Sequence, residues 1–328
     1  MESPEHILVV QLRRIGDVIL TLPAVQALRR RYPRAKLDFL VEAPSAEVVQ
    51  ASRLADEVLI YGARGVFGAL RWIKTVRGRE YDLVVDFMGN PRTALLTAFS
   101  GAARRAGPGH VARRWAYNVR LPQSPKTVYA AREKVRMLEP FGVPDDASAL
   151  PCIDMWSGRK PIANCVGFFP ASRKITRQWP AEKFAEFGKL MHQRLGAEIV
   201  VFWGPGEEAV AKKVVQLIGQ GATLSTKTNS LKELADQMSK CRLVVTNCAG
   251  PKHLAVAIGV PTLTIHGSSD PLAWTPNDHP LHKAVRRDEL KCIGCRKNSC
   301  PTKIECLRGL EAPRVFQAAL DLLEKVPA

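Results

Sequence analysis

Three groups of residues in this 328-residue sequence are spaced so as to do chemistry. The first is a single acid, Asp17, in the stretch LRRIGDVILTLP, behind two arginines and a glycine. At the tip of a strand–helix turn, a carboxylate is a helix cap worth about 1 kcal/mol, an incidental charge, or a proton acceptor for a reacting hydroxyl. The second group is three polar loops, each just past an apolar run. PASRKITRQWP (170–180) offers Ser172, Arg173, Lys174, Thr176 and Arg177 beside the start of a helix. Backbone N–H groups and the helix dipole favour a phosphate there; the plainer alternative is a solvated loop with one cap. TNCAGPKHLAVAIGVP (246–261) has Gly250 to let backbone approach a ligand and Pro251 to open a helix, with Lys252 and His253 in its first turn. A pyrophosphate fits that arrangement. HGSSDP (266–271), with Gly267, Ser268 and Asp270, suits a ribose or base, or is simply an Asp-Pro turn. The third group is Cys292, Cys295, Cys300 and Cys306, spaced C-x2-C-x4-C-x5-C. Four thiolates at that density suit a structural zinc, with free thiols or disulfides as the alternatives. None of the loops fits a Walker motif, and WGPGEEA (203–209) lacks the third glycine of a dinucleotide fingerprint.

Strands alternating with helices must hold these groups in place. HILVVQ (6–11) reads as a buried strand, followed by a helix from Gly16-Asp17 whose apolar face is Val18, Leu22, Val25 and Leu28. Pro23 falls inside that face and predicts a kinked or distinct first turn. KLDFLVE (36–42), a helix over 45–53, EVLIY (57–61), a helix over 65–77 and YDLVVDF (81–87) continue the alternation. Prolines and turn formers over 145–163 mark a domain boundary. The rhythm restarts with CVGFFP (165–170), a helix over 180–196 between Pro180 and Gly196, and AEIVVFWG (197–204). Helices over 207–219, 231–241 and 251–259 follow, with strands RLVVTN (242–247) and PTLTIHG (261–267), and an amphipathic helix over 313–326 ends the chain. Such alternation implies an α/β protein with parallel sheets covered on both faces. Cys152, Cys165 and Cys241 lie in or beside apolar segments and read as small core residues.

The length suits two domains. Lys and Arg number 48 against 31 Asp and Glu, a formal charge of +17 that calls for an anionic partner. Nucleic acid, a phospholipid surface and a phosphorylated substrate all qualify. The cations sit in short clusters such as Arg13-Arg14 and Arg113-Arg114 instead of a basic tail, and no aromatic–basic RNA motif is present. No segment approaches the roughly 18 uninterrupted apolar residues of a membrane span. A basic-then-apolar leader is absent from the first residues, so a cytosolic location is expected. In that compartment eight cysteines argue for thiols or metal ligands before disulfides.

In order and spacing, QLRRIGDVILTLPAVQALRRRYP, FFPASRKITRQWPAEKFAEF and VVTNCAGPKHLAVAIGVPTLTIHGSSDP resemble glycosyltransferase family 9, the ADP-heptose:lipopolysaccharide heptosyltransferases. The resemblance runs from about Ile7 to the last helix. It implies a GT-B fold: an N-terminal Rossmann-like acceptor domain over 1–155 facing, across a cleft, a nucleotide-sugar domain over 156–310, with helix 311–328 crossing back to the first domain. It implies that Asp17 is the catalytic base, and that Ser172, Lys174, Arg177, Gly250, Pro251, Lys252 and His253 hold the donor phosphates. Gly267, Ser268 and Asp270 would then meet the nucleoside. Where the family has Asp-Ser/Thr-Gly-Pro-x-His, this chain has Cys248 for the aspartate and Ala249 for the hydroxyl. Arg177 likewise stands where a lysine is usual.

The expected reaction is inverting transfer of a heptose from ADP-heptose to a hydroxyl of the lipopolysaccharide inner core. Another nucleotide-sugar donor, or a basic zinc-containing nucleic-acid-binding protein, is the alternative. The expected acceptor is an anionic lipid A–Kdo type lipid at the inner membrane surface, docked by Arg13, Arg14, Arg104, Arg105, Arg113 and Arg114, with the enzyme peripheral to that membrane. With no Asp-x-Asp motif, no cofactor is expected in catalysis and zinc enters only as a structural possibility; no nucleic-acid partner is expected.

Overall fold

The computed structural model describes residues 3–156, 158 and 161–326. The chain divides into two compact units, Met1–Met155 and Trp156–Ala328. The first runs β1 (His6–Val10), α1 (Ile15–Ile19), α2 (Leu22–Arg31), β2 (Lys36–Val41), α3 (Ala43–Ser52), β3 (Glu57–Ile60), α4 (Gly65–Arg77), β4 (Leu83–Asp86), α5 (Pro91–Ala98), β5 (Arg104–Pro108), β6 (Val119–Leu121) and α6 (Ala130–Arg136). Its strands form one sheet, ordered β3-β2-β1-β4-β5-β6, with parallel pairing throughout. β1 and β4 lie at its centre, covered on both faces, which is why HILVV and LVVD are almost wholly apolar.

The second unit runs β7 (Ile162–Phe169), α7 (Ala181–Leu195), β8 (Glu198–Val201), α8 (Glu208–Ile218), β9 (Ala222–Leu224), α9 (Leu231–Ser239), β10 (Cys241–Asn247), α10 (Gly250–Ala257), β11 (Thr262–Ile265), α11 (Pro271–Trp274), β12 (His282–Val285), α12 (Glu305–Arg308) and α13 (Ala312–Leu323). Its sheet is ordered β12-β11-β10-β7-β8-β9, again parallel. Counted within its own unit, each sheet has the doubly wound order 3-2-1-4-5-6. The order reverses between β1 and β4, and between β7 and β10. Outside the carboxyl ends of those pairs is where such sheets bind ligands.

Packing explains the local choices. α7 ends on Gly196, whose φ of 62° a residue with a Cβ adopts only under strain. Phe168, Trp179, Phe184 and Phe187 fill the second core, and the Trp179 indole donates to the Leu310 carbonyl at 3.0 Å. Gly167 in β7 leaves room for Cys241 and Phe202, which a Cβ would overlap.

Of the two forms expected around Pro23, the structure takes the distinct first turn: Pro23 sits in the first turn of α2, and the chain breaks at Leu20-Thr21 between two helices. Two other features differ from the sequence reading. Cys152 is exposed, whereas Cys165 and Cys241 are buried with their sulfurs 3.7 Å apart. The last helix was expected to dock on the first domain, but Ala312, Val315, Ala319 and Leu322 are buried in the second unit's core. An amphipathic pattern specifies that a face is buried, not which partner buries it. Among the described residues, no helix is long and apolar enough to cross a membrane.

Candidate functional site

In the first unit the carboxyl end of β1 leads through Gln11 and Leu12 into α1, and Asp17 is the third residue of that helix. Its Oδ2 accepts the Arg14 backbone N–H at 3.2 Å, and the side chain remains partly exposed. The capping and proton-acceptor readings are therefore compatible, because one carboxylate oxygen anchors the turn while the group still meets solvent. What fixes the turn is Lys134 on α6. Its ammonium donates to Gln11 Oε1 at 2.7 Å and to Thr21 Oγ1 at 2.8 Å. Gln11 passes the restraint to the Arg13 carbonyl at 2.8 Å, and Thr21 passes it to the Asp17 carbonyl at 2.7 Å. One cation thus pins the turn on both flanks. The Lys134 stem is partly exposed, yet its ammonium is enclosed deeply enough that desolvation pushes it down to about 8, against the opposing charges of Asp17 and Asp86.

Asp86 ends β4 across the reversal point and is fully buried. Burial raises its proton affinity, and hydrogen bonds from the Tyr117 hydroxyl (2.7 Å) and the Met88 (2.8 Å) and Gly89 (3.2 Å) N–H groups oppose that. It is a strut for the β4 loop and is shut off from solvent. Sequence reasoning missed both Asp86 and Lys134. An acid closing a central strand was a visible sign of the first; α6 itself was not foreseen, so the second had none.

The structure separates the six arginines. Arg13 and Arg14 are exposed at the β1 turn, and Arg113 and Arg114 follow the carboxyl end of β5. Arg113 donates to the Gly89 carbonyl at 2.9 Å, which ties it to the same edge. Arg104 and Arg105 begin β5, and Arg104 registers with Leu83, which itself registers with Ile7. They therefore lie at the amino edge, opposite Asp17, and Arg105 spends its guanidinium on the Ala102 and Ala116 carbonyls. Of the six arginines expected to meet the acceptor, these two are thus on the other edge from Asp17.

In the second unit two loops flank the reversal between β7 and β10. Asn247 joins them: its Oδ1 accepts the Trp179 N–H at 2.9 Å and its Nδ2 donates to the Pro170 carbonyl at 2.8 Å. Ser172, Lys174 and Arg177 line the first loop, partly exposed, with the Ser172 N–H on Gln178 Oε1 at 2.9 Å. The second loop opens α10 at Gly250-Pro251. Its N-cap is Ala249, which offers no side-chain acceptor, so the first-turn N–H groups have no cap. Beside Gly250 a Cβ would meet nothing within 4 Å. Two enclosed atoms also lack a protein partner: Arg177 Nε and His253 Nδ1. Burial, and then the neighbouring charges of Lys252 and His266, hold His253 well below its ordinary value, so it is neutral at pH 7. Open space, uncapped N–H groups and unpartnered nitrogens suit an anion rich in acceptor oxygens.

The expected nucleoside loop is latched to the first loop. The Ser268 N–H donates to the Thr176 carbonyl at 3.1 Å, and a Cβ on Gly267 would strike that same carbonyl and Leu307. Asp270 caps α11 through the Leu272 N–H at 3.0 Å.

Lys252 points inward. It is 0 % exposed, and its ammonium lies 3.5 Å from the Cys248 sulfur. Burial opposes ionisation of Cys248, but the Lys252 charge and contacts from His266 and Ser269 outweigh it and bring the thiol down to about 5. Burial lowers the proton affinity of Lys252, and the Cys248 sulfur opposes that. The pair lies shielded from water under the first turn of α10, each group favouring the charged form of the other.

The four clustered cysteines all lie in the loop and short helix before α13. Among the described residues no group of three or more His, Cys, Asp or Glu side chains is placed to hold a metal ion. All four thiols are free; Cys292 and Cys295 are exposed, and the Cys300 sulfur accepts the Ile304 N–H at 3.3 Å. The four nevertheless share one neighbourhood: after burial, Cys300, Cys292 and Cys295 all raise the proton affinity of Cys306.

Two expectations follow from these buried charges. Lys134→Met leaves the Gln11 and Thr21 oxygens without their donor, and urea unfolding should show a loss of roughly 1–3 kcal/mol. Cys248→Ser removes the thiolate beside Lys252. A group depressed from 9.0 to about 5 contributes stability that is full above the ordinary value and lost as pH falls through the lower one. The stability advantage of the wild type over Cys248→Ser should therefore shrink from pH 9 towards 5, and the thiolate ultraviolet absorbance present at pH 7 should be missing from the variant's difference spectrum.

Comparison with known proteins agrees with this geometry. The family model described as glycosyltransferase family 9 (heptosyltransferase) matches residues 69–304. Lipopolysaccharide heptosyltransferase 3 of Escherichia coli K12 is 25% identical over 292 residues, covering 81% of this chain and 83% of its own. The crystal structure of a family 9 glycosyltransferase from Veillonella parvula superposes with a TM-score of 0.82 at 24% identity, over 99% of each chain. E. coli heptosyltransferase WaaC with ADP-2-deoxy-2-fluoro heptose gives 0.75 at 21% identity, over 96% of this chain and 99% of that one. The fold is the α/β GT-B architecture of these enzymes. With the family model spanning well over half its length, the chain belongs to glycosyltransferase family 9 and is a glycosyltransferase.

Proposed function

We propose that the protein transfers a heptose from ADP-heptose to a hydroxyl of the lipopolysaccharide inner core, with inversion at the anomeric carbon and Asp17 as general base. The observation that carries this reading is the anion site of the second unit: an uncapped helix start, Arg177 Nε and His253 Nδ1, all without protein partners. A diphosphate supplies the acceptor oxygens they lack. The sugar donor and core acceptor are supported by the printed descriptions of the relatives, which name lipopolysaccharide heptosyltransferase and an ADP-heptose analogue.

The chemistry needs few groups. Asp17 takes the proton of the acceptor hydroxyl as its oxygen bonds to the anomeric carbon. The bond from that carbon to the β-phosphate oxygen breaks on the opposite face, and the electron pair leaves with ADP. Diphosphate is a weak base, so no strong acid is required. N–H groups of α10, the Arg177 guanidinium and Lys174 stabilise the charge developing on it. Lys252 acts from within, since its ammonium is turned to Cys248. Arg13, Arg14, Arg113 and Arg114 hold the acceptor's phosphates and carboxylates at the edge that carries Asp17. Cys248 in place of the expected aspartate favours one second reading, a different nucleotide sugar as donor.

Asp17→Asn should lower kcat by roughly 10²–10⁴-fold while ADP still raises the melting temperature, at saturating nucleotide by the equivalent of about 2.7 kcal/mol at a hundredfold excess over Kd. Full activity in that variant defeats the base assignment, and stronger stabilisation by a nucleotide other than ADP favours the second donor. Replacing Arg113 and Arg114 by alanine should raise the acceptor KM with kcat little changed, whereas replacing Arg104 should leave acceptor kinetics alone. Steady-state kinetics with a phosphorylated core acceptor reads both.

A further inference from the structure

α4 does not behave like the other helices of its unit. Val66 is 72% exposed, Phe67 88% and Leu70 55%, and Ile60 at the end of the preceding strand is 48% exposed. Phe67, Leu70, Arg71 and Lys74 fall at i, i+3, i+4 and i+7 and share one face. Residues 62–79 contain no Asp or Glu. Arg64, Arg71, Lys74 and Arg77 make no ion pair among the described residues, although Arg79 just beyond is paired with Glu57 and Asp38. An apolar tip ringed by unpaired cations is an unusual surface to leave in water.

Its position adds to this. β3 is the edge strand, and α4 starts from its carboxyl end, so the tip lies at the sheet edge that carries Asp17. On the other side of β1, the loop after β5 exposes Trp115 by 61% beside Arg113 and Arg114. Asp17 is therefore flanked, along one edge, by two sites that each combine an exposed apolar side chain with arginines.

We propose that the α4 face is a membrane-docking surface, with Val66, Phe67 and Leu70 entering the interface of an anionic bilayer and Arg64, Arg71 and Lys74 on its headgroup phosphates. The inference rests on the lipid-linked acceptor proposed above, since it would bring that acceptor's hydroxyl to the edge holding Asp17. Charge chooses the occupant. A protein partner burying only three apolar side chains falls far below the roughly 800 Å² per partner of a stable interface, and a second copy would set these cations against themselves. Acidic headgroups match them, with each cation near such a surface worth roughly a fivefold change in partitioning.

The test uses the full chain and vesicles of phosphatidylcholine alone or with phosphatidylglycerol, without donor or acceptor, so that it is independent of transfer chemistry. The wild type should float with the anionic vesicles. Val66→Ser with Phe67→Ser and Leu70→Ser should weaken that binding tenfold or more; Arg71→Ala with Lys74→Ala should weaken it by roughly 25-fold at low salt and less at high salt. Both variants should keep wild-type kinetics on a delipidated, water-soluble acceptor, which shows that they fold. Failure of the wild type to bind anionic vesicles overturns the proposal, as do variants that bind like the wild type. A wild-type dimer that the serine variant converts to monomer also overturns it, by giving the face to a second copy. Vesicle binding through this face in a protein that uses no lipid-linked acceptor sustains the surface and removes the proposed lipopolysaccharide acceptor instead.

Discussion

An ammonium group enclosed at the carboxyl edge of a parallel sheet has to be compensated, and each unit of this enzyme is organised around one. Lys134 sits under the β1 turn and Lys252 under the start of α10. Taking such a cation out of water is costly unless hydrogen bonds and an opposing charge meet it. In the first unit the compensation comes from Gln11 and Thr21, with Asp17 and Asp86 supplying negative charge. In the second it comes from one sulfur. Both arrangements serve a turn at the reversal point of the strand order, the place where backbone has the fewest neighbours to hold it.

That constraint explains why a cysteine is tolerable where the family resemblance leads one to expect an aspartate. A thiol there sits against a buried lysine, and the two favour each other's charged forms as a carboxylate and a lysine would. His266 belongs to the same cluster: burial lowers its proton affinity, Cys248 raises it, and its two ring nitrogens meet Ser269 and Thr275 at 2.9 Å each. Cys248, Lys252 and His266 form one enclosed set, and His253 beside them keeps an unpartnered nitrogen.

Much of the architecture was legible in the chain. HILVV, IANCVGFF and CRLVVTN are β-branched or apolar runs with turn formers behind them, and α4 was delimited correctly as 65–77 because its pattern is local. β5 and β6 were not seen, since RRAGP and VRL carry no run of strand-forming residues and are strands only because β4 offers them an edge. The same limit governs the site. Asp17, Arg177 and the Gly250-Pro251 turn announce themselves through neighbours in sequence. Lys134 acquires its meaning from Gln11, Thr21 and Asp86, on three other segments, and no local pattern encodes that. The cysteine spacing is a local regularity too, and the fold keeps Cys292, Cys295 and Cys300 near Cys306.

Net charge is the least local of these signals, and the structure shows how it divides. Some arginines are internal fasteners: Arg29 holds Asp56, Arg79 holds Asp38 and Glu57, and Arg132 holds Asp145. Others satisfy carbonyls, as Arg105 does. The remainder in the first unit, among them Arg13, Arg14, Arg64, Arg71, Lys74 and Arg114, form no ion pair among the described residues. Fasteners pull two parts of a fold together and add nothing to its long-range field, because each is neutralised where it stands. Unpaired cations repel one another and weaken the compact state, so their concentration along the edge that bears Asp17 is unfavourable until something anionic arrives there. In the first unit, part of the basic surplus thus collects along the edge that bears Asp17, where its mutual repulsion is relieved only by negative charge brought from outside.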